Sequence, residues 1–221
     1  MLSRKGGVGK STTAIHLGGY LAGLSEAGGD GVLVVDTDPS RNALRWAKRG
    51  RLPFRVVGED EVDADPAMAR EARHLIVDMR GSPSAEEIDD AMRLAEVMVI
   101  PIMPSGLALD TLLQTRRDLR RLGREDRYRV LLTAVPPWPY RRGPQARAQL
   151  EELGIPLFEA EVRRLEAFEA SADEGVLVRD LRDRRAQKGW EDYARVGEEL
   201  VEWVMALRTP DLRAARSGGG A

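Results

Sequence analysis

The residues best suited to chemistry lie near the start of the chain, in the segment KGGVGKST at residues 5–12. Its end, Gly9-Lys10-Ser11, matches the phosphate-loop pattern G-x-x-x-x-G-K-[ST], although Arg4 stands at the position of the first glycine. Glycines allow successive backbone N–H groups to turn toward one anion, and the helix predicted to follow directs its positive dipole end there. Lys10 is predicted to reach the β- and γ-phosphates, and the Ser11 hydroxyl to bind Mg²⁺. The predicted nucleotide-binding residues here are Gly6, Gly7, Val8, Gly9, Lys10, Ser11 and Thr12.

Two apolar runs farther along the chain end in carboxylates. Residues 32–35 precede Asp36 and Asp38, and residues 74–77 precede Asp78. Because open α/β sheets bind ligands at the carboxyl ends of their strands, we expect these acids to face the phosphates. Asp78 fits the Walker B pattern, in which a buried strand delivers a carboxylate to the metal, often through water. For Asp38 a second interpretation stays open, since an Asp-x-Asp-Pro segment also caps a following helix.

Gly81 is predicted to distinguish a triphosphate from a diphosphate. It follows the second apolar run, where the backbone amide of a switch loop contacts the γ-phosphate. His74, which begins that run, has no second His or Cys near it in the sequence. We therefore interpret His74 as a residue at a strand edge rather than as a metal ligand.

Strands and helices alternate along the chain, which predicts an α/β fold with a doubly wound, mostly parallel sheet flanked by helices. The main strands are predicted at residues 32–35, 53–57, 74–77, 97–102 and 129–135, and the main helices at residues 12–24, 107–122 and 190–208. The acidic segment 59–65 is predicted to be a loop. Only residues 1–4 precede the phosphate loop, where a strand of about five residues is usual. Either the central strand is very short or the true start of the protein lies upstream.

Length and composition indicate one globular domain. The 221 residues are interpreted as a domain over 1–208 and a flexible tail over 209–221. The absence of cysteine excludes disulfides, iron–sulfur clusters and zinc sites built from thiolates. No signal peptide or membrane-spanning run is visible, so we expect a cytoplasmic protein. The net charge of −2 gives no overall attraction to nucleic acid, which would have to bind a local basic patch.

KGGVGKST resembles the deviant Walker A motif of the ParA/MinD ATPases. The segment from Asp36 to Asn42 resembles their D-x-D-P-Q-x-N sequence, with Ser40 in place of the usual glutamine. The likeness covers nearly the whole chain and is most specific in its first half. It implies a P-loop NTPase that binds ATP and Mg²⁺, forms a homodimer on ATP and hydrolyses it slowly. The length resembles that of small ParA proteins without an N-terminal operator-binding domain.

The resemblance also implies roles for single residues. Lys5 and Lys10 would be catalytic, with Lys5 crossing the dimer interface to the nucleotide of the partner subunit. The alternative that Lys5 only assists its own phosphates stays open. Asp38 would position or activate the attacking water, and Asp36 would support the Mg²⁺ shell beside Ser11 and Asp78. In this family the end of the last strand leads to the adenine pocket, so Pro136 is the predicted base contact, although Thr133 or Ala134 replaces a common asparagine.

ParA proteins bind nonspecific DNA through basic residues, which implies a nucleoid-associated dimer here. The candidate DNA-binding residues are Arg179, Arg182, Arg184, Arg185 and Lys188, with a second group at Arg141, Arg142 and Arg147 and possible help from Arg163 and Arg164. Phosphate contacts require positive charge and no base-reading motif. The alternative is a solvated charged face, because Asp180 and Asp183 lie among these arginines.

The resemblance implies plasmid or chromosome partition, with a ParB-like partner that stimulates hydrolysis. Two alternatives stay open: an ATPase that positions a protein cargo or acts as a regulator, and an inactive nucleotide binder. We do not expect a membrane partner, because the predicted last helix carries Glu198, Glu199 and Glu202 near Trp203, and anionic lipid would repel that face.

Overall fold

The computed structural model describes residues 1–3, 6–24 and 28–217. The strands are β1 (Val32–Asp36), β2 (Arg55–Gly58), β3 (His74–Asp78), β4 (Met98–Ile102) and β5 (Tyr128–Leu132). The helices are α1 (Lys10–Leu24), α2 (Asn42–Arg49), α3 (Glu59–Ala64), α4 (Ala67–Glu71), α5 (Ala85–Leu94), α6 (Gly106–Arg121), α7 (Arg142–Glu152), α8 (Ala167–Glu174) and α9 (Arg184–Ser217). Two short 3₁₀ turns lie at Gly28–Gly31 and Val178–Asp180.

The strands form two parallel groups, which the first residues of the chain join. One group has the order β2-β1-β3, and the other pairs β4 with β5. Leu2 is fully buried, and its N–H donates to the Val99 carbonyl at 3.1 Å. On the other side, the Met79 N–H donates to the Met1 carbonyl at 3.1 Å. Residues 1–3 thus lie between β3 and β4 as the very short central segment that the sequence allowed.

Alternate strand residues face different helical layers, and this confirms the doubly wound α/β prediction. Val32 and Val34 of β1 pack with α1, α2 and α9, whereas Leu33 and Val35 pack toward α3 and α4. Ile100 of β4 packs with the layer that contains α5, α6 and α7. A strand buried on both faces has no polar side, which explains the continuous apolar runs in the sequence.

Two predicted segments differ from the structure. The acidic segment 59–65 is mostly helix α3, whose Glu61 side chain accepts a hydrogen bond from the Gly58 N–H at 3.1 Å. Acidic side chains in a first turn also interact favourably with the helix dipole. Helix α9 begins before the predicted residue 190 and continues to Ser217, so residues 209–217 of the predicted tail are helical. None of the described helices combines the length and apolar character needed to cross a bilayer.

Candidate functional site

The phosphate loop has the backbone that its glycines predict. Gly7 and Gly9 have φ values of +73° and +84°, which residues with a Cβ rarely adopt. Helix α1 begins at Lys10, and the Thr13 N–H donates to the Gly9 carbonyl at 2.8 Å. Lys10 is 7% exposed and lines the cleft above the loop. Lys5 lies outside the described residues, so its contact across a dimer interface stays a prediction.

Thr133 fixes this loop to the sheet. Its buried hydroxyl lies 2.8 Å from the Val8 carbonyl and 3.1 Å from the Ile102 carbonyl, to which it can donate. It thereby links the loop to the ends of β4 and β5. In the sequence, Thr133 stands out only as a departure from the family's asparagine. Its position at the end of a buried strand, level with the other site residues, was the signal that could have identified it.

Asp36 organises the loop that follows β1. Its Oδ1 accepts from the Asp38 N–H at 3.1 Å, and its Oδ2 accepts from the Leu44 N–H at 3.0 Å. The buried carboxylate therefore turns the loop and satisfies an N–H group in the first turn of α2. Both oxygens already have amide donors, so the contacts favour a structural role, and the predicted role in the Mg²⁺ shell stays a prediction.

Asp38 is held between two loops at the mouth of the cleft. Its Oδ1 accepts from the Ser40 N–H at 2.9 Å, and its Oδ2 accepts from the Gly81 N–H at 3.2 Å. Partial burial raises the pKa of Asp38, but the hydrogen bonds from Ser40 and Gly81 and the charge of Lys10 lower it overall. Asp38 is therefore an ionised hydrogen-bond acceptor. The structure brings two residues with separate predicted roles, Asp38 and Gly81, into direct contact.

Asp78 is the best candidate for a magnesium ligand. Its carboxylate is buried, and neither oxygen has a hydrogen bond of normal geometry within the described residues. Burial raises the pKa of Asp78 to about 6, against the opposing influence of the nearby Ser11 hydroxyl. A divalent cation would supply the missing partner and favour the ionised form.

The donor set agrees with Mg²⁺ bound mainly through substrate. Across residues 1–3, 6–24 and 28–217, no group of three or more His, Cys, Asp or Glu side chains is arranged to hold a metal. Mg²⁺ usually keeps several waters and takes one or two protein ligands together with phosphate oxygens. Ser11 and Asp78 fit this requirement.

The cleft above the phosphate loop has a volume of about 890 Å³. Its far wall comes from residues 162–165 and from Phe168 of α8, so it contains two arginines as well as apolar side chains. Ala134, with a φ of +48°, also lines the cleft. Pro136 does not line the cleft, so its predicted base contact is not favoured. The apolar surface of Val162, Leu165 and Phe168 is better placed to hold a flat ring.

Helix α9 holds this far wall in position. Asp192, which is 1% exposed, accepts two hydrogen bonds of 2.7 Å from the Arg163 guanidinium and one of 3.0 Å from the Arg163 N–H. About two helical turns farther along α9, Glu199 accepts the N–H groups of Glu159 and Ala160 at 2.8 and 2.6 Å. Arg163 is thus paired with a buried acid, which makes it a poor candidate for DNA contacts.

His16 joins the phosphate-loop helix to the segment before α9. Its Nδ1–H donates to the Thr12 carbonyl at 2.7 Å, and its Nε2 accepts the Val178 N–H at 3.1 Å. The ring stacks on Tyr193 with centroids 4.8 Å apart, and the Tyr193 hydroxyl lies 3.1 Å from Thr13 Oγ1. Because Nε2 accepts a hydrogen bond from a backbone N–H, the fold requires the neutral imidazole.

We expect acid to destabilise the fold through His16. Burial lowers the pKa of His16 from 6.5 to about 4. The unfolded chain takes up this proton near pH 6.5, whereas the folded chain takes it up only near pH 4. The free energy of unfolding should therefore fall as the pH drops through that window, by on the order of 3 kcal/mol.

NMR titration of the two histidine rings tests this expectation, because a His74→Gln variant identifies the signal of His16. The His16 ring should stay neutral down to pH 5. A His16 ring that titrates at or above pH 6.5 would contradict the prediction.

The predicted DNA-binding residues form a basic surface around the start of α9. We define this surface by its exposed members, Arg182, Arg184, Arg185 and Lys188, whose side chains have no ion pair or hydrogen bond within the described chain. The two acidic residues nearby, Asp180 and Asp183, already have partners of their own. Asp183 Oδ1 accepts the Arg185 N–H at 2.8 Å, and Asp180 lies 3.8 Å from Arg179, which also packs over the Trp190 ring. Arg179 is therefore less available than the other four.

Comparisons with known proteins agree with this geometry. The family model described as the CobQ/CobB/MinD/ParA nucleotide binding domain matches residues 1–178. The "Maintenance of carboxysome distribution protein A" of Gloeobacter kilaueensis is 34% identical over 209 residues, which are 90% of this chain and 92% of that protein. "Protein ParA" of Rhizobium radiobacter is 30% identical over 145 residues, covering 61% of this chain and 63% of that protein.

A solved structure supports the fold at lower identity. The ATP complex of an McdA variant from Cyanothece aligns with a TM-score of 0.64 and 17% identity, over 92% of this chain and 94% of that chain. Three observations identify the family: the phosphate loop, the buried Asp78 carboxylate and the family model that matches residues 1–178. The chain belongs to the CobQ/CobB/MinD/ParA family of nucleotide-binding domains.

Proposed function

We propose that the protein is an ATP hydrolase that acts as a switch and needs Mg²⁺. The observation that carries the proposal is the meeting of Lys10, Asp38 and Gly81 in one cleft above the phosphate loop, with Asp78 buried beside Ser11 and near Lys10. These groups supply a cation for phosphates, an ionised acceptor for water, a metal ligand and an amide donor. They are the parts that phosphoryl transfer to water requires.

Each residue has a role that its surroundings support. The loop amides and Lys10 bind the phosphates and offset charge that develops during transfer. Ser11 and Asp78 would hold Mg²⁺, which neutralises phosphate charge when bound. Asp38, kept ionised, accepts a hydrogen bond from the water that attacks the γ-phosphorus. The bond between the γ-phosphorus and the oxygen of the β-phosphate breaks, the proton of the water passes to the phosphate product or to solvent, and ADP and phosphate leave. Because Asp38 is already occupied by amides, we expect slow turnover that a partner protein stimulates.

The second half of the proposal is an ATP-dependent dimer that binds nonspecific DNA. The basic surface supplies four exposed cations around the start of the helix that holds the cleft wall. Phosphate contacts of this kind need no base-reading side chain. Lys5 would complete the partner's site, and a ParB-like protein would stimulate hydrolysis and release the DNA. This combination would serve plasmid or chromosome partition on the nucleoid.

A second candidate function has its own support. The relative named for carboxysome distribution is 34% identical to this chain, and the match covers 92% of that relative's length. The same switch could therefore position a protein assembly instead of a replicon. A ParB-like gene beside the gene for this chain would favour partition, and its absence would favour a protein cargo.

DNA binding provides the first test. We expect a random-sequence duplex to bind with a slowly hydrolysed ATP analogue and not with ADP, and to dissociate as salt rises. Reversing two charges by Arg184→Glu with Arg185→Glu should weaken this binding at least about tenfold and lower its salt dependence. Fluorescence anisotropy of a labelled duplex measures both effects.

A matched double variant controls for loss of net charge. Arg120→Glu with Arg121→Glu changes two similarly exposed arginines of α6, which packs in the other helical layer. That variant should keep most of the affinity. Equal losses in both variants, or no binding by the parent protein, would refute DNA binding by the basic surface.

A further inference from the structure

The carboxylate of Asp38 lies where two groups with predicted roles toward the γ-phosphate converge. Gly81 donates its N–H to Asp38 Oδ2 at 3.2 Å. The Lys10 ammonium lowers the pKa of the same carboxylate and lies 4.0 Å from where a Gly81 Cβ would stand. An amide donor with a cation nearby is also what a terminal phosphate oxygen requires.

The two loops that carry these groups are held at their roots. The Thr37 N–H donates to the Asp78 carbonyl at 3.0 Å, and the Met79 N–H donates to the Met1 carbonyl at 3.1 Å. Toward the tips, Arg41 and Ser82 have φ values of +49° and +56°, a region that residues other than glycine adopt at a penalty. The contact between Asp38 and Gly81 therefore joins the two loops directly above this fixed base.

We propose that Asp38 is an internal anion that occupies the γ-phosphate position and helps the protein to distinguish ATP from ADP. A γ-phosphate oxygen takes the Gly81 N–H and the Lys10 ammonium and displaces Asp38. The freed Oδ2 then becomes available to water. ADP has no group at that position and leaves the contact between Asp38 and Gly81 intact. This inference rests on the proposed nucleotide site.

Binding measurements on Asp38 variants test the displacement. Calorimetry with ADP and with a slowly hydrolysed ATP analogue gives two dissociation constants for each protein. We expect Asp38→Ala to tighten the analogue by at least about tenfold relative to ADP, because no internal hydrogen bond to a charged acceptor must be broken. Asp38→Asn should show a clearly smaller change, since it removes the charge and keeps an oxygen that can accept from Gly81.

The variants separate the proposal from simpler explanations. Equal tightening by the Ala and Asn variants would mean that charge repulsion alone acts, and it would overturn the proposal. Equal changes in the dissociation constants of ADP and of the analogue would overturn the proposal as well. Asp60→Ala is the control, because Asp60 pairs with Arg41 of the same loop at 3.2 Å and is largely exposed. It should leave the ratio of the two constants unchanged.

Hydrogen exchange of the Gly81 amide provides a readout independent of nucleotide. In the nucleotide-free protein, Asp38→Ala should speed this exchange by at least about tenfold, whereas Asp60→Ala should not change it. Unchanged exchange in Asp38→Ala would overturn the contact itself. If the parent protein binds neither nucleotide, the proposed function fails. The exchange result still decides whether Asp38 accepts the hydrogen bond of the Gly81 N–H.

Discussion

Replacing Lys10 by alanine is expected to weaken the binding of ATP and of ADP by at least about 100-fold. Charge-assisted hydrogen bonds contribute roughly 1.5–3 kcal/mol each, and Lys10 is predicted to make them to more than one phosphate. About 1.4 kcal/mol corresponds to a factor of ten in affinity, so the loss of two such bonds accounts for this size. Calorimetry or displacement of a fluorescent nucleotide measures the effect.

The chain offers a matched control for the loss of a lysine. Lys48 is exposed on α2 and does not line the cleft, so Lys48→Ala should bind both nucleotides as the parent protein does. Circular dichroism and thermal unfolding show whether each variant is folded. A folded Lys10→Ala protein with an affinity within about threefold of the parent would refute the nucleotide site, and with it the proposed hydrolase.

Replacing Asp192 by alanine is expected to lower the free energy of unfolding by about 2–3 kcal/mol. The loss leaves the Arg163 N–H and guanidinium and one Arg195 hydrogen bond without their buried acceptor. Breaking a fully buried ion pair costs roughly 3–5 kcal/mol. We take a smaller value because the side chains of Arg163 and Arg195 are 38% and 58% exposed and can regain water.

Urea denaturation checks this value, since a shift of the midpoint at constant slope reports stability. Asp173→Ala is the control, because Asp173 pairs with Arg49 at 3.0 Å but is 79% exposed. That variant should lose no more than about 1 kcal/mol. If both variants lose equally little, Asp192 does not hold the wall of the cleft.

The features that the sequence predicts well are those that a short segment encodes alone. Gly7, Gly9 and Lys10 lie within four residues, and the positive φ values of the loop follow from its own glycines. The apolar runs that end in Asp36 and Asp78 likewise define buried strands, because the carboxyl ends of parallel strands share one edge of the sheet. The fold class, the family and the approximate place of the carboxylates followed from these local patterns.

The errors in the prediction concern segments whose state depends on packing. The acidic segment 59–65 carries no apolar stripe, yet most of it is helix α3. The Glu61 side chain stabilises the start of this helix by accepting a hydrogen bond from the Gly58 N–H. Pro136 was expected at the base pocket from its place in the chain. That contact stays a prediction. The lining that the structure does show comes from residues 162–165 and from Phe168, and Asp192 of the last helix holds Arg163 among them.

By itself, the sequence determined that this protein has a phosphate loop, strand-end carboxylates and a doubly wound α/β domain of the ParA/MinD type. Only the tertiary structure decided which of these groups touch. Asp38 meets Gly81, Thr133 meets Val8, and His16 meets Val178 across separations of 43, 125 and 162 residues. Such contacts arise because strands distant in sequence end at one edge of the sheet and helices pack across its faces. No local pattern of residue types specifies those distances.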